Sequence, residues 1–386
     1  PKPFDPRLIA EVPPAVAKAA MESGIAKEPI TDWEKYKDTL LERMGSDNKL
    51  VRLLLNRAKL DPKRVVFAEA DQLAVLKAAQ IVYEDGIAFP ILLGRKETIK
   101  SLMKEIEFDA DVPIIDPKTD EENPRKDKYA KVYWEQRKRR GITYYSAQKL
   151  MRERNYFAAM MVSEGDADAL ISGYSRNYPT VVKPMLELIG MAKGATKIAT
   201  TNVMMTKRGP LFLSDTSINI DPTAKDLTKI AQMTSWVIKM FGMEPVIAMT
   251  SYSNFGSSEH HNASKVREAV SYLHRHFPDM VVDGELQTDF ALNDAMLREK
   301  FPFSKLVGRK VNALIFPNLD SANITYKLLK ELNEAQSIGP IMMGMRKPVH
   351  ILQLGANVDE IVNMTAVAVI DAQHKEKREQ EKANSK

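Results

Sequence analysis

The residues best placed to do chemistry sit in turns that follow apolar runs. Residues 347–361 read as a short apolar strand, a turn at Gly355 and a helix start. Val349, Ile351, Leu352 and Leu354 supply the apolar run, and Gly355 permits a positive φ. Asn357 followed by Glu360 has the spacing of a capping box. A strand that turns sharply into a helix aims backbone N–H groups at one point, and such ends attract anions. Residues 167–173 repeat the pattern: a strand ends at Gly173, then a loop over 174–179 leads to a helix over 180–189. That arrangement is a candidate phosphate cradle. The loop 251–258 carries Ser251, Ser253, Ser257 and Gly256, which suit a phosphate or nucleotide and equally suit a solvated turn. Asp283, Glu285 and Asp289 put three carboxylates on one strand and its turn. They could bind Mg²⁺, although no dedicated ligand motif is present. Arg137 opens the densest basic cluster, Arg137-Lys138-Arg139-Arg140, at the end of a helical stretch. Basic residues at a helix C-terminus are also what the dipole favours.

These turns need a scaffold, and the order of elements supplies one. A strand over 64–69, a helix over 73–85 and a strand over 90–94 predict a parallel sheet with right-handed crossovers. Glu69 closes its strand, where ligands gather in open parallel sheets. Residues 104–128 are polar, punctuated by Pro113, Pro117 and Pro124, with a short strand over 112–115. Helices follow over 129–140 and 145–159. The middle of the chain alternates strands (197–205, 209–215, 245–249, a strand with its turn over 281–291, and 312–316) with helices (227–241, 263–276, 322–332). Asp221 as cap and Pro222 in the first turn predict the start of the helix over 227–241. A last helix runs from 359 to about 382, and its charge-mixed end (375–386) is expected to fray. In residues 1–46, Pro3, Pro6, Pro13 and Pro14 are expected to break any early helix. Short helices are expected over 16–21 and 30–42, the second capped by Thr31 or Asp32.

Composition narrows the function. The chain has 386 residues, 44% hydrophobic and 28% charged, an ordinary globular mixture. It has no cysteine, which excludes disulfides, Cys–Zn sites and a thiol nucleophile. Its six histidines form no HExxH pattern, so no metal centre is expected. A net charge of +5 is modest for this length and argues against a nucleic-acid partner. No apolar run reaches the ~20 residues of a membrane span. No signal pattern opens the chain, and a cytoplasmic location is expected. The first residue is not Met, so a longer parent protein is expected.

Several ordered motifs carry a resemblance. They are Tyr133-Trp134-Glu135-Gln136-Arg137 running on to Gly141-Ile142-Thr143, Asp283-Gly284-Glu285-Leu286-Gln287-Thr288-Asp289, the stretch from Phe316 to Lys327, and the turn at Gly355. From about Lys49 to Glu376 the chain resembles phosphotransacetylases, the phosphate acetyl and butyryl transferases. The resemblance implies two α/β subdomains with a cleft between them, of the isocitrate/isopropylmalate-dehydrogenase-like class. Residues 47–190 with 342–386 would form the first. Residues 191–341 would form an inserted second subdomain that makes the dimer contact, with CoA lying along the cleft. In that family the decisive turn reads Asp-Leu-Ser-Arg-Gly, and its Ser and Arg are catalytic. Here Gln353 and Leu354 occupy those places. Lys183 stands where the family has an Arg, and Glu360 where it has an Asp, with no partner for Glu360 visible in the sequence. The resemblance makes Arg137, Lys183, Ser251, Ser253, Ser257 and Asn323 the candidate CoA contacts. Gln353 cannot act as a base and Leu354 cannot neutralise a phosphate. Losing such a cation costs on the order of 10²–10⁴ in rate.

Residues 5–9 and 12–17 resemble the end of the catalytic domain in long, two-part bacterial malic enzymes. Together the two resemblances imply the C-terminal, phosphotransacetylase-like part of an NADP-dependent, oxaloacetate-decarboxylating malic enzyme. Such a domain would bind acetyl-CoA as an inhibitory effector without acyl transfer of its own. NADP and a divalent metal would belong to the catalytic domain that turns malate into pyruvate, CO₂ and NADPH, which residues 1–46 would connect. The partners implied are acetyl-CoA, that malic enzyme domain, and further copies in a homodimer or larger homo-oligomer. An active phosphate acetyltransferase and a purely structural dimerisation module remain the alternatives.

Overall fold

Largely apolar runs of two to eight residues become strands, and the stretches between them become the helices that cover the sheets. The computed structural model describes residues 8–42, 47–333 and 337–384. With elements numbered in chain order, the first sheet holds β1 (Lys63–Phe67), β2 (Ala88–Leu93), β3 (Ile114–Ile115), β4 (Ala169–Ser172) and β11 (Val349–Ile351). All its pairings are parallel, in the order β11-β4-β1-β2-β3. The second sheet holds β5 (Ala199–Thr206), β6 (Gly209–Ser214), β7 (Val246–Thr250), β8 (Val281–Leu286), β9 (Ala313–Ile315) and β10 (Ser337–Met343). Its order is β10-β5-β6-β9-β7-β8, antiparallel at the β10–β5–β6 end and parallel elsewhere. The expected α/β architecture with two units is thus present.

Alternation along β1 explains why its sequence is apolar throughout. Val65 and Phe67 face one core, and Val66 faces another. On the Val65 side lie α3 (Asp47–Lys59), α4 (Leu73–Glu84) and the long α15 (Val358–Asn384). On the Val66 side lie α6 (Asn123–Arg137), α7 (Tyr144–Leu150), α8 (Arg154–Glu164) and α9 (Tyr178–Leu188). α10 (Ala224–Met240) and α11 (His261–His276) pack on the second sheet, and α14 (Leu319–Asn333) packs against β6. The apolar face of α15 belongs to a single cluster that includes Phe67 of the first sheet and Phe212 and Ile247 of the second. Arg57 of α3 adds a polar tie, donating to the Met240 carbonyl of α10 over 2.8 Å.

The chain passes between the sheets twice, and the two passages pair with each other. Ala192 N–H donates to Gly344 O (2.9 Å), and Arg346 N–H donates to Gly190 O (3.0 Å).

Several local expectations change. Pro13 and Pro14 lie inside α1 (Leu8–Glu22). The proline φ is itself helical, so two missing N–H donors remove bonds without ending the helix. Pro3, Pro6 and residues 5–7 of the malic-enzyme-like motif fall outside the described residues. Asp32 caps α2 (Trp33–Glu42) as expected, accepting from Lys35 N–H at 2.9 Å. The helix expected over 145–159 is broken at residues 151–153 into α7 and α8, and Arg154, which opens α8, makes a two-point pairing with Asp71 at 2.8 and 3.0 Å. α10 is capped by Thr223, not Asp221. Thr223 and Asp226 form a reciprocal capping box, and Asp221 pairs with Lys265 instead. The C-terminal helix is helical through Asn384, past residue 375 where the expected charge-mixed end begins. Lys63–Glu376, Lys347–Glu379 and Arg378 over Trp236 fasten that end to the body.

Candidate functional site

β4 and β11 are neighbours, with Ser172 in register with Ile351, so the loops that follow them meet. Gly173 has φ +96°, and a Cβ there would lie 2.6 Å from Ile351 Cγ2. Only glycine fits such a close approach. Gly355, at φ +71°, donates its N–H to Tyr174 O over 3.3 Å and ties the two loops together.

The expected phosphate cradle after β4 already holds an anion of the protein's own. Glu69, 1% exposed, accepts from the N–H groups of Gly173 (2.8 Å), Tyr174 (2.6 Å) and Ser175 (3.2 Å), and from the Ser175 hydroxyl. The serine loop of the second sheet repeats this design. Glu285, fully buried, accepts from Ser253 Oγ (3.1 Å) and Gly256 N–H (2.7 Å) and pairs with Arg267 (3.1 Å). Ser257 bonds Ser253 over 2.9 Å, and Ser251 Oγ accepts from Ser253 N–H. Ser175 Oγ, Ser253 Oγ and the N–H groups of residues 173–175 and 256 are therefore spent on the protein's own carboxylates. Asp283 is likewise engaged by Ser304 and Lys305 N–H, both at 2.8 Å. Asp289 is exposed, and no carboxylate or histidine cluster suited to a metal exists among the described residues.

α14 closes the other side of the turn. Helical spacing puts Asn323, Tyr326 and Lys330 on one stripe. Asn323 Nδ2 donates to Thr216 O (3.0 Å), Gln353 Nε2 donates to the Tyr326 hydroxyl (2.8 Å), and Lys330 Nζ donates to Glu360 (2.9 Å). Glu360 thus has a cationic partner, contrary to the expectation, because the partner lies in the other half of the molecule. It also forms the expected reciprocal cap with Asn357, at 3.0 and 2.9 Å. Burial, the largest single influence, presses the Lys330 ammonium toward neutrality, but the Glu360 hydrogen bond together with the charges of Tyr326, Glu360 and Glu331 outweighs it, and its pKa is raised. Leu354 is 61% exposed.

The remaining candidates are scattered. Arg137 donates from Nε and Nη2 to the Glu187 carbonyl, at 3.3 and 2.8 Å, near the C-terminal end of α9. An 11-residue helix is about 16 Å long, so this guanidinium sits at the far end of α9 from the Gly173 loop. Lys183 is exposed on α9 and makes no hydrogen bond or ion pair among the described residues. Sequence reading passed over Arg176, which is exposed in the 173–177 loop and equally unpaired among the described residues. It also passed over Tyr326 and Lys330, whose spacing of four along a helix was the available signal. The Tyr178 hydroxyl is buried without a hydrogen-bond partner. Burial raises its pKa, and the Asp215 carboxylate adds to the effect.

At the turn, then, stand a neutral amide and a hydrocarbon, while Lys183 and Arg176, on α9 and in the loop before it, are exposed and unpaired among the described residues. Such a site can attract an anionic ligand by charge. Gln353 offers it no proton acceptor of basic strength.

Residues 49–369 match the phosphate acetyl/butaryl transferase family. An NADP-dependent malic enzyme of Haemophilus influenzae is 39% identical over 378 residues, 97% of this chain and 50% of that protein. The chain thus spans about half the length of that relative. A phosphate acetyltransferase of Thermoanaerobacterium thermosaccharolyticum is 36% identical, covering 84% of this chain and 99% of that protein. Among solved structures, a phosphotransacetylase from Staphylococcus aureus superposes with a TM-score of 0.77 at 28% identity, over 84% of this chain and 98% of that one. No helix among the described residues is long and apolar enough to cross a membrane. With the match, the relatives and the two-sheet architecture in agreement, the chain belongs to the phosphate acetyl/butaryl transferase family.

Proposed function

We propose that this chain is a regulatory, phosphotransacetylase-like domain that binds acetyl-CoA in the cleft between its sheets and transfers no acyl group. The observation that carries the reading is the state of the turn after β11: Gln353 is bonded to Tyr326, and its neighbour Leu354 is an exposed hydrocarbon side chain that bears no charge. Acyl transfer from a phosphate to a thiol needs a base for the thiol and a cation for the phosphate and oxyanion. An amide engaged with a phenol is no base. Lys330 stands beside the turn, but its ammonium is bonded to the Glu360 carboxylate. Binding without turnover is sufficient for an effector site, because a ligand need only prefer one of two arrangements.

The malic-enzyme relatives support a wider setting. In it, the domain reports acetyl-CoA to a malic enzyme domain in a longer protein, where NADP and a divalent metal would be held. Self-association as a homodimer or larger assembly and a cytoplasmic location complete the reading.

The test pairs calorimetric titration of the chain with acetyl-CoA and an assay of acetyl phosphate with CoA. Saturable binding with no acetyl-CoA formed is the expected result. Turnover at an ordinary enzymatic rate, on the order of 10 s⁻¹, would overturn the reading. Absence of any acetyl-CoA binding would replace it with a scaffolding role.

A further inference from the structure

A second basic concavity lies away from the Gln353 turn, where the two passages between the sheets run side by side. Residues 192–197 and 342–345 form one wall, and α10 and α15 form the rest. Its volume is about 310 Å³, within the range of small-molecule sites. Five cationic side chains line it, Lys193, Lys197, Lys229, Lys375 and Arg378, against a single lining carboxylate, Asp371.

The local partners do not neutralise this charge. Lys375 takes Asp371 at 2.8 Å, and Lys197 reaches Asp226 only at 3.6 Å. Lys229 donates to the neutral Gln232 carbonyl at 3.2 Å. Arg378 lies over the Trp236 ring at 5.1 Å, a contact that fixes the guanidinium without cancelling its charge. Lys193 is exposed and unpaired among the described residues. The Gln232 amide nitrogen, in the lining, is buried and has no hydrogen-bond partner. Gathering like charges around a concave wall is unfavourable unless a counter-charge occupies it.

We infer that this groove is a binding site for a di- or triphosphate group. Several ammonium groups with a guanidinium match a chain of phosphates better than they match a single carboxylate. Because both inter-sheet passages form its wall, an occupant would touch the one place where the two halves are covalently joined. The inference is independent of the acetyl-CoA reading of the cleft. A free diphosphate, a nucleotide and the diphosphate of a CoA could each supply the chemistry.

The experiment titrates the whole chain with inorganic pyrophosphate, ATP and acetyl-CoA. The readouts are calorimetry and Trp236 fluorescence, in a background where Trp33 and Trp134 are replaced by Phe. It is repeated on Lys193→Glu, at an exposed position, and on a Lys193→Gln, Lys197→Gln, Lys229→Gln variant. Melting curves confirm that each variant folds. At least one probe is expected to bind, with affinity falling as salt rises and at least tenfold weaker in both variants. Pyrophosphate and ATP binding equally would identify a free phosphate chain as the ligand. Acetyl-CoA binding alone, weakened by the groove variants, would identify the CoA diphosphate. Binding indifferent to the groove variants, or no binding by any probe at millimolar concentration, would overturn the inference.

Discussion

Gln353 and Tyr326 come from opposite halves of the molecule and meet through one hydrogen bond, amide nitrogen to phenol, at 2.8 Å. Gln353 thereby helps hold the second sheet's α14 onto the first sheet's turn. A double-mutant cycle of Gln353→Ala and Tyr326→Phe should show a coupling of about 1 kcal/mol in urea unfolding. Additive effects would mean that the contact contributes nothing between the halves.

Glu69 fills the loop after β4 with an acceptor-only carboxylate. Glu69→Gln keeps the shape but turns an NH₂ toward backbone N–H donors. A loss of roughly 2–3 kcal/mol is expected, since buried donors are left without acceptors. Amide hydrogen exchange at residues 173–175 should rise in parallel. Unchanged protection there would show that Glu69 does not order the loop.

Lys330 and Glu360 are both part-exposed, so water screens their pair and Lys330→Met should cost under about 1 kcal/mol. The sign of its pH dependence is fixed. Because the folded-state pKa is raised, the contribution is present below the unfolded value of 10.5 and fades as pH climbs through the raised value. Comparing wild type with Lys330→Met by urea titration from pH 8 to 11 tests this. The two curves should converge at the alkaline end.

His350 is 1% exposed, and its Nδ1 accepts the Met342 N–H at 3.2 Å. The proton of the neutral ring therefore sits on Nε2, 3.7 Å from Asp371. Burial pushes its pKa down to about 4; Lys375 adds to that, while Asp371 opposes it. A depressed histidine keeps its full contribution above the unfolded pKa of 6.5 and loses stability as pH falls toward 4. The loss should reach roughly 3 kcal/mol at the end of that window. His350→Gln, which retains an acceptor but does not titrate, should flatten the profile. An equally steep acid limb in that variant would assign it to other groups.

What the sequence revealed and what it hid divides by distance along the chain. The Asn357–Glu360 cap was readable because both partners lie within one turn. The strands were readable because Val65, Val66 and Phe67 declare two buried faces by their own types. The α10 cap was missed by two residues, because Asp221-Pro222 and Thr223 through Asp226 both satisfy the local rule, and Lys265 settles the choice from 44 residues away. Glu69 meets its amides 104 to 106 residues on, and Lys330 meets Glu360 across 30. Arg137 reads as a free basic cluster until the end of α9 arrives 50 residues later. No local pattern encodes such pairings, and they decide whether a polar side chain is available to a ligand.

α15 comes after every strand of both sheets in the chain, and its apolar surface is shared by the two. While the ribosome is still making it, Phe67 on one side and Phe212 on the other lack a common lid. A nascent chain stopped near residue 355 would therefore hold two unfinished cores and present sticky surface to chaperones and proteases. Truncations that remove this helix should fail as a whole, in both halves at once, rather than leave one half intact.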